Sequence, residues 1–266
     1  MPARVPTEAD FAHLASSPAV KIALTWPKPA ELTTSFLIVF HGLGDHEIPY
    51  AGFAEGVNLP GVLSIAVQGT TTLPLALLGD PDAQPGRNFH WGDDIKIDDA
   101  TGEIDPDPGY EKAETIVRDR LIKETLIDKL GWSLGDIMFF GFGQGGSLAL
   151  GLASKLRVGP PLEEEQEGKA PGDAAFKGVL SLGGPLPRSM VPTVSARGKA
   201  KTKVLALQFE LDEIEELKAE FENVEVAHWR RKGVSMPREK EEMVPIMKFF
   251  ADCLNDGVTG VGGPSV

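Results

Sequence analysis

Two periodicities alternate along this chain, and that alternation restricts its fold more than any other feature. β-rich apolar runs at 35–40, 62–67, 137–140, 179–182, 204–209 and 224–229 are bounded by Gly, Pro or charged residues. Strands buried on both faces read in this way, as near-continuous apolar segments. Between them lie patterns of helical period. The clearest spans 110–130, where Ile116, Val117, Leu121, Leu126 and Leu130 mark one apolar face among Lys, Arg and Glu. Segments 147–156 and 241–254 are two more. Such alternation predicts crossover βαβ units and a mostly parallel sheet covered by helices on both faces, an α/β fold.

The 266 residues suffice for one large α/β domain, and no internal repeat, Gly/Ser linker or heptad run divides them. A single domain over 1–254 is expected. Segment 80–109, rich in Asp, Gly and Pro, and segment 158–175, with Gly159-Pro160-Pro161 and Glu163-Glu164-Glu165, read as inserted surface excursions; 255–266 reads as a loose tail. A formal charge of −13 repels nucleic acid, which is therefore not an expected partner. The lone Cys253 excludes an internal disulfide framework and a cysteine-based zinc cluster. The first residues show no apolar run behind a basic start, and the long uncharged stretches 56–79 and 137–154 are interrupted by Pro, Gln and Thr or by repeated Gly. A cytoplasmic protein without a membrane span is expected.

The chemistry begins at His41-Gly42-Leu43-Gly44-Asp45, directly after the run 35–40. Glycines at a strand end let the backbone turn sharply and present N–H groups to a ligand oxygen. Taken alone, the motif is equally well a tight strand-to-helix turn. A second motif, Gly141-Phe142-Gly143-Gln144-Gly145-Gly146, follows the run 137–140 and leads into a helical pattern. Two chemistries share that outline. One is the G-x-G-x-x-G dinucleotide fingerprint, but it normally opens the first βαβ unit and is followed about 20 residues later by an acid; here it is mid-chain and the next run ends Leu182-Gly183-Gly184. The other is the nucleophile elbow G-x-S-x-G, matched everywhere except at the serine.

Together the two motifs, in this order and each behind a strand, resemble the acyl-protein thioesterase and carboxylesterase group of the α/β-hydrolases, whose members typically read HGLGD and GFSQGG. The resemblance extends more loosely over 35–254, with Trp91 and Asp93 matching a Trp-x-Asp stretch of the family's middle loop. It implies an α/β-hydrolase fold with the loops 41–46, 141–146 and 230–237 gathered at the carboxyl ends of the strands. It also implies that His41, Gly42, Leu43 and Gln144 form an oxyanion or ligand-binding region through the N–H groups of Leu43 and Gln144. Trp91 becomes a candidate pocket residue. The family's serine falls on Gly143, its acid nearest Asp212 and its histidine on Met236. Asp212 has a competing reading, as the start of a capping box with Glu215 opening a helix at 213–221.

No other residue supplies the missing groups. His228 falls within the run 224–229, His13 and His46 have no supporting motif, and His90 beside Trp91 could face a cleft but lacks a serine partner. Ser147 is one helical turn past the elbow and Ser181 lies in a run, neither with a base beside it. Losing the nucleophile of a Ser-His-Asp unit costs on the order of 10⁶ in turnover, about 8 kcal/mol of barrier. The sequence is therefore read as a non-catalytic pseudohydrolase that needs no cofactor or metal and binds an acyl chain, an acylated peptide or a protein partner. Alternatives are an ester or thioester hydrolase with an unrecognised nucleophile and, behind it, a dinucleotide-binding enzyme.

Overall fold

The computed structural model describes residues 3–16, 20–77, 85–97, 104–156, 174–192 and 198–256. Its centre is a seven-stranded sheet in the order β1-β3-β2-β6-β7-β8-β9. The strands are β1 (Ile22–Thr25), β2 (Ser35–Phe40), β3 (Val62–Val67), β6 (Ile137–Phe142), β7 (Gly178–Leu182), β8 (Val204–Leu207) and β9 (Val224–Ala227). Only β1 runs antiparallel, at one edge against β3; all other pairs are parallel. β4 (Thr71–Thr72) and β5 (Phe89–His90) form a separate two-stranded ribbon.

Every residue of β2, β3 and β7 is buried, which is why these segments carry no alternation in sequence. One apolar cluster, with Phe36, Ile38, Phe40, Phe139 and Leu121, fills one side of the sheet. A second, with Leu37, Val39, Phe140, Leu180 and Phe250, fills the other. Alternate residues of β2 thus enter opposite clusters, as the pleat requires.

The helices are α1 (Glu8–Phe11), α2 (Glu47–Val57), α3 (Glu111–Glu114), α4 (Gln144–Lys155), α5 (Leu211–Glu220) and α6 (Lys240–Asn255). The chain leaves α3 without a break into a π-type helix, Thr115–Lys129, whose wider turns end with the Leu130 N–H donating to the Thr125 carbonyl at 3.1 Å. α6 buries Ile246, Phe249, Phe250 and Cys253, one stripe at helical spacing, and burial pushes the Cys253 thiol up to about 12. α4 is buried on all sides from Gly145 to Ser154.

Three expectations require correction. Segment 80–109 is not a surface excursion throughout: 85–87 are exposed, but Phe89, His90 and Trp91 are buried, because β5 pairs with β4 and sets the Trp91 ring edge-on against Phe40 at 5.3 Å. The helix expected at 213–221 runs from Leu211 to Glu220, and the capping box is Glu210 with Glu213 rather than Asp212 with Glu215. The run 224–229 is a strand only to Ala227. Most of 158–175 and of the 255–266 tail lies outside the described residues.

Candidate active site

The strand order reverses at β2: β3 lies on one side of it and β6 on the other. In an open parallel sheet, the loops leaving two such strands diverge and open a crevice at their carboxyl ends. The loop leaving β2 is His41 to Asp45, and the loop leaving β6 is the Gly143 turn into α4. β2 and β6 pair in register up to Phe40 and Gly141, so the two motifs emerge side by side. The loop 230–237 leaves β9 in the same direction, since β8 and β9 continue the parallel array. All three loops therefore open on one edge of the sheet.

Gly143 keeps the backbone of a nucleophile elbow, with φ 50° and ψ −123°, in the region that disfavours side chains. A Cβ built there meets nothing within 4 Å, so the position where a nucleophile would stand is open. Its neighbours are glycine for a different reason. A Cβ on Gly141 would lie 2.3 Å from the Gly145 carbonyl oxygen, and one on Gly145 would lie 2.5 Å from that of His41. These contacts let α4 start directly against β2 and β6. Gly184, after β7, closes the other flank, where a Cβ would come within 2.0 Å of the Gly143 oxygen. The Gly143 N–H is held by the Leu182 carbonyl at 2.9 Å. Sequence reasoning gave Gly183-Gly184 no place in the site; two glycines closing a strand beside the elbow were the available signal.

His41 supports the site without reaching a ligand. It is fully buried, and its Nε2 accepts the Gly69 N–H at 2.7 Å. A backbone N–H can only donate, so the proton sits on Nδ1, which donates to the Gly42 carbonyl at 2.7 Å. Burial pushes its pKa down to about 4. Both ring nitrogens are occupied, so within the expected oxyanion or ligand-binding region the His41 side chain serves to hold the backbone. Trp91 is also corrected: it is wholly buried, not a pocket wall. Its indole N–H donates to the His41 carbonyl at 2.8 Å, and its backbone N–H to Gln144 Oε1 at 2.8 Å. Trp91 thereby ties the β2 loop to the first residue of α4. Asp93 accepts the Glu111 and Lys112 N–H groups at 2.7 and 2.8 Å and so caps α3.

At the Gly42 turn, the N–H reaches the Tyr50 hydroxyl at 3.2 Å, and the Phe142 ring lies where a Cβ would stand, at 2.6 Å. Burial raises the Tyr50 and Tyr110 pKa values. Among the described residues, the Leu43 and Gln144 N–H groups have no backbone acceptor. The Gln144 N–H stands at the positive end of the twelve-residue helix α4.

The residues expected at the two other triad positions, Asp212 and Met236, include no imidazole. Asp212 is exposed in the first turn of α5. Met236 is half-buried, and its side chain packs against the apolar cluster that includes Leu182, Leu207 and Phe249. Its carbonyl accepts from Arg231 at 3.1 Å. The other candidates are buried or have partners. Ser181 Oγ donates to the Gly184 carbonyl at 2.9 Å, and Ser147 is buried within α4. His228 follows β9 and donates through Nε2 to the Phe209 carbonyl at 2.8 Å. His46 lies beside Asp45 at 3.3 Å, and His13 Nε2 meets Thr125 Oγ1 at 3.0 Å. His90 does not face a cleft, being 1% exposed, and its Nε2 has no partner among the described residues.

Gln208 is a site residue that the sequence did not disclose. It follows β8 with φ 60°, unusual for a residue with a side chain. Its Oε1 accepts the Trp229 N–H, and its Nε2 donates to the Arg231 and Gly233 carbonyls at 3.2 and 3.4 Å. The loop after β9 is thus pinned to the end of β8. Val234 then lies over Gly183, where a Cβ would approach it to 2.2 Å. Among the described residues, no group of three or more His, Cys, Asp and Glu could hold a metal ion, and no helix is long and apolar enough to cross a membrane.

Comparison with known proteins agrees with this architecture. An uncharacterized hydrolase of Schizosaccharomyces pombe is 34% identical over 154 residues, covering 58% of this chain and 54% of that protein. One of Mycosarcoma maydis is 29% identical over 127 residues, covering 47% and 43%. The chain spans about half the length of the curated relatives it matches. Among solved structures, Zea mays acyl-protein thioesterase 2 superposes with a TM-score of 0.59 at 17% identity, over 88% of this chain and 99% of that one. The Bacillus cereus carboxylesterase gives 0.56 at 17%, over 93% and 100%. These two likenesses are of fold. The family model for phospholipase/carboxylesterase matches residues 27–228, from before β2 to just past β9, and the chain belongs to that family of α/β-hydrolases.

Proposed function

We propose that this chain is a hydrolase-fold binding protein that has given up covalent catalysis, and that its ligand is an acyl chain or an acylated peptide. The observation that carries this reading is Gly143. The elbow holds its φ of 50° and ψ of −123° with open space above it, yet offers no nucleophilic atom. A serine hydrolase needs a nucleophile with a base in hydrogen-bond reach and a third group orienting that base. Here the three positions are Gly143, Met236 and an exposed Asp212. Binding needs less: donors aimed at a carbonyl oxygen and an apolar surface. Leu43 and Gln144 N–H would supply the donors, the latter aided by the α4 dipole. Leu43 and Ile48, 41% and 57% exposed beside the crevice, would supply apolar surface.

Native mass spectrometry of the freshly purified protein tests the reading. A co-purified species whose mass fits a lipid or an acylated peptide is expected. A bound nucleotide would overturn it in favour of the dinucleotide alternative.

A further inference from the structure

Beside the elbow, the turn from β8 into α5 and the loop after β9 enclose a cleft of about 450 Å³. Its chemistry is unlike that of the molecule as a whole, which carries a formal charge of −13. Arg230, Arg231 and Lys232 all line it. Arg231 is committed: it pairs with Glu242 at 3.0 Å, bonds Ser235 and the Met236 carbonyl, and lies over the Trp229 ring at 5.5 Å. Arg230 and Lys232 are exposed cations with no ion pair among the described residues. Glu210, the only carboxylate in the lining, is turned to the start of α5, where it caps the Glu213 N–H. Trp229 also lines the cleft, and its buried indole N–H has no acceptor among the described residues. A buried donor left unpaired carries a desolvation cost that an arriving acceptor would remove. The rim is apolar: Leu211 is 81% exposed and Val234 44%, and Val234 rests on Gly183 next to the elbow.

We infer that this cleft binds the anionic headgroup of a single-chain amphiphile, with Arg230, Lys232 and the Trp229 indole holding the oxyanion and Leu211 and Val234 meeting its apolar chain. The inference rests on the binding reading above and names the ligand class it would serve. Two features select an amphiphile over a free ion: the cations stand next to two exposed apolar side chains, and the volume exceeds what a lone phosphate fills. Gln208, by fixing the Trp229, Arg231 and Gly233 backbone, is the positioning residue that keeps the cleft open.

Binding is measured on the full chain by titration calorimetry and tryptophan fluorescence, with laurate, lauryl phosphate, neutral dodecyl maltoside and inorganic phosphate as probes below their micelle-forming concentrations. Laurate and lauryl phosphate should bind and change the fluorescence, and Trp229→Phe should abolish that change. Arg230→Glu with Lys232→Glu, both at exposed positions, should weaken binding of the anionic amphiphiles by about tenfold or more. Equal affinity for dodecyl maltoside, or laurate affinity unchanged by the charge reversals, would overturn the anionic assignment. Inorganic phosphate binding as tightly as lauryl phosphate would overturn the amphiphile. The functional reading fails separately, because serine-dependent ester turnover would contradict it and leave the charge dependence intact.

Discussion

Placing serine at the elbow, Gly143→Ser, looks like a repair and should act as a lesion. The Cβ itself costs nothing in contacts, since the space above Gly143 is empty to 4 Å. What remains is the backbone term. At φ 50° and ψ −123° a residue with a side chain is strained by about 1–3 kcal/mol, which glycine escapes. For a domain of this size each kcal/mol moves the melting temperature by about 2–4 °C, so a fall of about 2–12 °C is expected. Gly143→Ala should fall by the same amount, because the strain belongs to the Cβ and not to the hydroxyl. Gly141→Ala and Gly145→Ala should fare far worse, with Cβ atoms forced to 2.3 and 2.5 Å from backbone oxygen. Thermal denaturation of the four variants, alongside turnover of a short-chain aryl ester, reads out both parts. Gly143→Ser should leave hydrolysis near background, since Met236 cannot take the serine proton. Adding Met236→His is the first combination expected to rise above it. A Gly143→Ser variant that is both more stable than the parent and clearly active would refute the strain argument and reveal a working base.

Three further outcomes follow from the supports of the site. His41 has a folded pKa of about 4, below the ordinary 6.5, so its contribution is whole above pH 6.5 and is lost as pH falls from there toward 4; urea unfolding should register up to about 3 kcal/mol of loss across that window, and a flat profile would contradict the buried neutral imidazole. Trp91→Phe keeps the ring but strips the donor from the His41 carbonyl, and should cost about 1–3 kcal/mol by chemical denaturation. Asp93→Ala removes the cap of α3 and should cost about 1 kcal/mol while leaving ligand binding unchanged by calorimetry.

The parallel strands were legible because burial on both faces leaves β2, β3 and β7 as near-continuous apolar runs with one serine each. The elbow was legible because Gly141 and Gly145 are dictated by backbone contacts that no other residue tolerates. What escaped has equally physical reasons. β1 is a four-residue edge strand, too short to establish a period. α2 contains Pro49-free turns only in part: its Pro49, Gly52 and Gly56 dilute the helical pattern, and it is held by packing on the sheet. Segment 80–109 advertised its Asp, Gly and Pro, yet Phe89 to Trp91 at its centre are core. Glu210 won the cap of α5 from Asp212 through a reciprocal bond with Glu213 that composition does not rank highly. Gln208 gave no local signal, because its importance lies in three partners more than 20 residues away along the chain.

Whether this elbow can still perform covalent chemistry is tested most directly by incubating the full chain with a fluorophosphonate and measuring its intact mass. An unchanged mass is expected, with Ser147 and Ser181 buried, the Ser181 hydroxyl hydrogen-bonded, and no side chain at Gly143. A stoichiometric adduct mapped to any serine would contradict the account and return the chain to the working esterases.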